Sequence, residues 1–373
     1  DAIVVGGGPA GSTLAGRLHA GGLDVLVLDR AVFPRDKLCA GWITPGVVEA
    51  LALDLEEYGR SHVLQPITRF RTGVIGARAI ETDYGRPVSY GILRSEFDDF
   101  LLRRSGAPVL SGVAVDAIER AEGRWIVNGG VRTPLLVGAG GHFCPVARRL
   151  GARRERDPVV VAQEVEWPVP SEQEGTFAAR GDTPELYFSP DLKGYGWCFR
   201  KGDRLNVGLG RLDAHGLGAH IAVFREFLRA EGRVPADLPA RWKGHAYLLY
   251  ERERPRIVDD GALLVGDAAG LAYAASGEGI RPAVESGLMA ARTILAARKR
   301  YGREDLAPYD RVVRARFGGR RAQGSLPLPP GLVAAAGRTL FGLSWFTRRI
   351  VLDRWFLHAG QPAWDRAAPT ASL

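Results

Sequence analysis

Cysteine is scarce in this chain: Cys39, Cys144 and Cys198 are the three thiols among 373 residues. Three cysteines build no disulfide framework, and with no CxxC or Cys/His ligand spacing they give no metal centre to expect. The pattern suits a reducing, cytoplasmic setting. No apolar run reaches the roughly 18 residues of a spanning helix. No signal peptide and no internal repeat are visible. The chain opens at Asp1 directly on a strand, so a natural N-terminus lying upstream is expected. Charge of one sign is only mildly in excess, 50 Lys+Arg against 42 Asp+Glu. That excess is mostly arginine dispersed along the chain, without an RNA-binding motif, zinc-finger spacing or aromatic-basic platform. It therefore fits anionic cofactors or lipid headgroups and argues against nucleic acid. Apolar content is that of a folded protein, and the length allows two domains or one large α/β domain with an insertion.

What the sequence does hold begins at its first residues. "DAIVVGGGPAGSTLAGRLHAGGLDVLVLDR" reads as strand, turn, helix, strand. Ala2 to Val5 suit a buried parallel strand, and Gly6, Gly8 and Gly11 give G-x-G-x-x-G. The first glycine makes the tight turn, the second lets backbone amides approach a pyrophosphate, and the third lets the helix pack closely. Pro9 and Ala10 open a helix whose free N–H groups favour an anion. Asp29, closing the second strand beside Arg30, is placed to accept hydrogen bonds from a ribose diol. This motif alone leaves NAD and FAD both open.

A distant segment repeats the theme. "GALLVGDAAGLAYAASGEGIRPAVESGLMAARTILAA" starts as a buried strand, Ala262 to Val265, ending in Gly266-Asp267. A long helix is expected from about Gly279 to Ala297, opened by Gly277-Glu278-Gly279 and Ile280. Asp267 is suited to a second hydroxyl. The helix start is suited to the electron-rich edge of a ring that gains charge on reduction.

These two motifs in this order resemble FAD-dependent oxidoreductases of the aromatic-hydroxylase superfamily. Within it, "FPRDKLCAGWITP" (33–45), "ILRSEFDDFLL" (92–102) and "YGWCFRKGDRLNVGLG" (195–210) resemble the geranylgeranyl reductase family. The resemblance implies an α/β fold: a Rossmann-like FAD-binding domain with a parallel sheet, an antiparallel-sheet substrate domain, and C-terminal helices. It implies that Gly6, Gly8, Gly11 and Asp29 hold the ADP half of FAD, with Pro9, Ala10, Arg30 and Arg35 beside them. Arg94 would meet the phosphate or ribityl region, a salt bridge to Glu96 or Asp98 being the plainer reading of that residue. Gly266 and Asp267 would lie at the ribityl end, and Gly277, Glu278, Gly279 and Ile280 under the isoalloxazine. Cys39, Ala40 and Gly41 would form a loop over the flavin, with Cys39 as proton donor or redox-sensitive gate. Lys37 and Arg35 would bias its thiolate.

Three departures from the family pattern stand out. Gly140 occupies the aspartate position of a "GADG" strand end, with Arg148 and Arg149 following. Arg200 replaces the proline of "YxWxFPK". Trp42 stands where a small residue is usual. Tyr195, Trp197 and Phe199 alternate, so they share one strand face. With Trp42 they are expected either to wall an apolar substrate pocket or to form an ordinary sheet core. Cys144 and Cys198 read as structural.

The motifs divide the chain discontinuously: 1–65, 91–157 and 255–300 for FAD, 66–90 and 158–254 for substrate, and 301–373 as a C-terminal helical region. A Pro-rich break (326–331) precedes an apolar, aromatic segment punctuated by Arg338, Arg348, Arg349 and Arg354. That segment is expected to form two short helices that close a tunnel, pack on the body, or rest on an anionic membrane surface. The leading expectation is reduction of C=C bonds in a hydrophobic, isoprenoid-type substrate, with NADPH, NADH or ferredoxin as electron donor. The alternatives are an oxygen-using hydroxylase or halogenase, and a flavin-bearing lipid-binding or electron-transfer protein. The halogenase motif "WxWxIP" is not matched, because Phe199 follows Trp197.

Overall fold

Ala2–Val5 is buried along its whole length. A strand with no wet face needs cover on both sides, the situation of a parallel sheet. It pairs in parallel with Val25–Asp29 on one side and Leu135–Gly138 on the other. Val109–Ser111 adds one edge, and Ala262–Leu264 followed by Val258–Asp259 adds the other. Within this six-stranded sheet only the Val258–Asp259 pairing is antiparallel. The helices Pro9–Ala20 and Ile280–Ala296 pack together against it. Their closeness depends on Gly287, where a Cβ would lie 2.6 Å from the Ala10 carbonyl oxygen.

This computed structural model describes residues 1–152, 159–212, 215–248, 256–273, 275–318, 337 and 339–364. A seven-stranded sheet runs in the order Lys243–Leu248, Val159–Pro168, Arg204–Arg211, Gly194–Lys201, Glu185–Phe188, Arg69–Val74, Ile80–Asp83. The antiparallel pattern expected there holds except between Glu185–Phe188 and Arg69–Val74, which are parallel. The chain joining them passes through the other sheet, and a connection that long returns a strand in either direction. One face is covered by the helix Leu217–Ala230, whose Leu217, Ile221, Phe224 and Leu228 recur at helical spacing. On the other face Trp42, Phe70, Trp197 and Phe199 meet Phe341, Val351, Leu352 and Phe356 of the C-terminal segment. Trp42–Ile43, Ser89–Ile92 and Leu64–Ile67 form a small third sheet, and Ile118–Ala121, Arg124–Val127 and Val131–Thr133 a fourth.

The break expected at 326–331 lies outside the described residues. Beyond it, a helical turn over 339–341 ends before Leu343. A second helix begins at Ser344–Phe346 and continues as a π-helix over Thr347–Phe356. Its i→i+5 bonding explains why the sequence shows no clean 3.6-residue stripe there. Among the described residues no helix is long and apolar enough to cross a membrane.

Candidate active site

The first turn is built by exclusion. At Gly6, φ is +115° and a Cβ would lie 2.4 Å from the Ala139 carbonyl oxygen; at Gly11 a Cβ would lie 1.9 Å from the Gly6 oxygen. No side chain fits either place. Gly8 precedes the helix Pro9–Ala20 without a side-chain cap. The first-turn amides, which have no partner inside a helix, are thereby left facing the cavity. Asp29 is pinned beside them: its Oδ2 accepts the Gly7 N–H at 2.7 Å and its Oδ1 the Ala31 N–H at 2.8 Å.

A cavity of about 800 Å³ opens in front of this turn. It gathers Gly6, Gly8, Pro9, Ala10, Asp29, Arg30, Arg35, Cys39 and Arg94 with Asp267, Gly277, Gly279 and Ile280 from the distant segment. Lys37, Gly140, Arg148, Arg149 and Ala246, the last from the seven-stranded sheet, complete the walls that matter here. Gly11 and Gly266 sit beneath the lining and set helix approach, a Cβ on Gly266 falling 3.0 Å from that of Ala10. Ala40, Gly41 and Glu278 lie off the lining, and the Glu278 carboxylate instead sits 3.3 Å from His358 Nε2.

The charges are arranged around one buried anion. Asp98 is fully buried and accepts from Arg94 Nε and Nη2, each at 2.8 Å, while Arg35 Nη2 stands 3.0 Å from the same carboxylate. Arg94 thus makes the plain salt bridge to Asp98 and also lines the cavity. Arg35 Nη1 is buried without a hydrogen-bond partner. An unpartnered guanidinium nitrogen beside a glycine turn and a helix N-terminus fits a diphosphate, so these residues suit the ADP half of FAD. On the opposite wall, burial raises the pKa of Asp267, opposed by Lys37 and Arg94. Lys37 reaches solvent yet has protein around most of its length. That desolvation, with Arg94, lowers its pKa, while Asp267 and Cys39 work the other way.

Cys39 is half-buried, whereas Cys144 and Cys198 are buried. Burial pushes the Cys198 thiol well up. The Cys39 thiol lies beside Arg94 and Lys37 and accepts the Gly41 N–H at 3.4 Å. Its backbone is held by side chains of the seven-stranded sheet. Glu164 Oε1 accepts the Cys39 N–H at 2.5 Å, Asn206 Nδ2 donates to the Cys39 carbonyl at 3.3 Å, and Lys201 Nζ donates to the Ala40 carbonyl at 2.9 Å. Sequence reasoning missed Glu164 and Asn206, and gave Lys201 no role. The available signal was Glu164 and Glu166 at alternate positions in the apolar strand "VVVAQEVEWP", an acidic pair on one face that needs an explanation.

Tyr195, Trp197 and Phe199 do share one face of Gly194–Lys201. Trp42 meets Phe70 and Phe199 edge-on, at 5.9 and 6.1 Å, and Phe356 at 5.9 Å. Tyr195 packs on Phe356 at 5.2 Å and donates to the Ser276 carbonyl at 2.5 Å. None of the four lines the cavity; the C-terminal helix covers the face they form.

No protein-family profile matches the chain. It is 31% identical over 338 residues to menaquinone reductase of Mycobacterium tuberculosis, covering 79% of this chain and 76% of that protein. It is 29% identical to the chloroplastic geranylgeranyl diphosphate reductase of Oryza sativa, covering 79% and 66%. Among solved structures, a geranylgeranyl bacteriochlorophyll reductase-like protein from Thermoplasma acidophilum superposes with a TM-score of 0.73 at 21% identity, covering 97% of this chain and 92% of that one. The flavin-dependent halogenase CmlS gives 0.65 at 22%, covering 85% and 62%. At such identities the structural likenesses speak for the fold alone.

Proposed function

The chain belongs to the geranylgeranyl reductase family of FAD-dependent oxidoreductases, and from that premise we propose that it saturates carbon–carbon double bonds of a hydrophobic, isoprenoid-type substrate. One observation carries the reading. A half-buried thiol, Cys39, shares a cavity with the glycine turn, Asp267 and the opening of the helix Ile280–Ala296.

Bound and reduced, FAD supplies the hydride for such a reaction. The residues of this chain supply the rest. The amides around Gly8 and the guanidinium of Arg35 would hold the diphosphate, and Asp29 would hold the ribose. The N-terminus of Ile280–Ala296, with Gly277 and Gly279, opens on the cavity and would supply a dipole favourable to negative charge there. An isolated alkene has no conjugated group to take up charge, so the second carbon needs a proton from a donor held close to it. The Cys39 thiol holds that proton at Sγ. Arg94 and Lys37 stand beside it.

The reading extends to a surface. Leu343 and Trp345 are exposed at the start of the C-terminal helix, and Arg348 and Arg349 follow. Aromatic and aliphatic side chains beside cations suit a peripheral contact with an anionic membrane, from which a lipid substrate would be drawn.

Incubating FAD-loaded protein with dithionite and geranylgeranyl diphosphate without oxygen tests the substrate class. Mass spectrometry is expected to show the gain of two hydrogens for each double bond reduced. An unchanged substrate beside fully reduced flavin would overturn the proposal.

A further inference from the structure

The seven-stranded sheet holds a polar cluster that neither the nucleotide motifs nor the cavity explains. Glu164 is 1% exposed, in the middle of Val159–Pro168. In register across the sheet, Glu164 faces Gly208, which faces Trp197. Gly208 is the reason these rows fit: a Cβ there would lie 2.2 Å from the Trp197 ring and 2.8 Å from Glu164 Cβ. The next row is Glu166, Asn206 and Phe199. Trp197 Nε1 donates to Asn206 Oδ1 at 2.6 Å, which leaves the Asn206 amide nitrogen for the Cys39 carbonyl. Lys201, fully buried, stands 2.6 Å from Glu166 and donates to the carbonyls of Ala40 and Ile92.

Two successive residues of the thiol loop are therefore gripped at three backbone groups, by side chains from three adjacent strands. Asn206 and Lys201 act as donors, and both are already engaged elsewhere. Glu164 is the acceptor, and its second oxygen, Oε2, is buried without a partner. A carboxylate with one oxygen committed and one idle is ill-suited to a purely structural role, because the idle oxygen costs desolvation and returns nothing.

We propose that Glu164 is a positioning residue for Cys39: its carboxyl group holds the Cys39 amide and so keeps the thiol at the cavity wall, firmly when ionised and loosely when protonated. The inference rests on the reading of Cys39 given above. A charge-assisted bond to N–H is about twice as strong as a neutral one, so ionisation tightens the loop. The groups that face Glu164 set when this happens. Burial raises its pKa to about 7, Lys201 and the Cys39 N–H lower it, Glu166 raises it, and Asn206 lowers it. Lys243, its register partner on the neighbouring strand, pairs instead with Asp36. The grip therefore strengthens across neutral pH.

Iodoacetamide alkylation of the FAD-loaded protein, followed by mass spectrometry at Cys39, reads loop position without turnover. Glu164→Ala removes the acceptor and is expected to speed alkylation about tenfold above about pH 8, and by several-fold less below about pH 6, where the wild-type grip is already loose. Glu164→Gln keeps a neutral acceptor. It is expected to match the wild type below about pH 6 and to exceed it several-fold above about pH 8, where only the wild type gains a charge-assisted bond. Should Glu164→Ala not fold, the Glu164→Gln ratio alone decides. Wild-type alkylation in the variants across the whole pH range would overturn the proposal. Full turnover by Cys39→Ser would instead remove the catalytic reading of the thiol while leaving the alkylation result, and so the grip, standing.

Discussion

The two sides of the cavity are built by opposite means. The wall from Gly6 to Asp29 is made of backbone and steric exclusion, within one short stretch of chain. The wall under Cys39 is made of side chains, Glu164, Lys201 and Asn206, that reach the loop from strands far away in sequence. The first kind of wall suits a ligand of fixed shape and, at Gly6 and Gly11, leaves no room for a side chain. The second holds a loop whose position its own ionisation can alter. The two walls thus rest on different physics in one molecule.

The comparison breaks most completely at Gly11. With a Cβ only 1.9 Å from the Gly6 oxygen, Gly11→Val is expected to abolish FAD binding. FAD released per protein, read from its absorbance at roughly 450 nm, checks this. A fully loaded variant would mean that the turn does not need its close approach.

A smaller effect sharpens the other side. Burial pushes the Glu164 carboxyl up to about 7 in the folded chain, from its ordinary 4.5. Between those values the native state binds more protons, so this group's contribution to stability falls as pH rises through that window and stays low above it. The loss is at most about 3 kcal/mol. Glu164→Gln removes it, so denaturant midpoints at pH 5 and pH 8 are expected to lie closer together in the variant than in the wild type. Equal spacing in both would show that the carboxyl is already ionised at low pH.

The smallest effect lies outside both walls. Trp345 is 60% exposed, and Trp345→Ser is expected to weaken co-sedimentation with anionic phosphatidylserine vesicles several-fold without changing FAD content. Unchanged sedimentation would remove the membrane contact.

The same contrast explains how much was legible in the sequence. Gly6, Gly8, Gly11 and Asp29 announce themselves because local geometry dictates residue type at fixed spacing, and the strand Ala2–Val5 and the helix Pro9–Ala20 follow from the same stretch. The helix opened by Gly277 to Ile280 was legible for the same reason. The Arg94–Asp98 pair was visible as an i,i+4 spacing, but its sharing with Arg35 was not. Glu164 showed only as half of an acidic pair in an apolar strand; what it holds, and the part Asn206 plays beside it, comes from register across three strands, which no local pattern records. The covering of Trp42 and Tyr195 by Phe356 was equally hidden, since the chain that covers them is remote and its π-helical period disguises which face is apolar.

In the proposed reaction one wall binds the cofactor and the other delivers a proton through Cys39. A single turnover separates the two roles. Wild type and Cys39→Ser, both FAD-loaded and reduced by dithionite, are mixed with geranylgeranyl diphosphate without oxygen while flavin reoxidation is followed. The wild type is expected to reoxidise at least about a hundredfold faster, the scale of a lost general acid, with equal FAD content in the two proteins. Equal rates would mean that Cys39 delivers no proton.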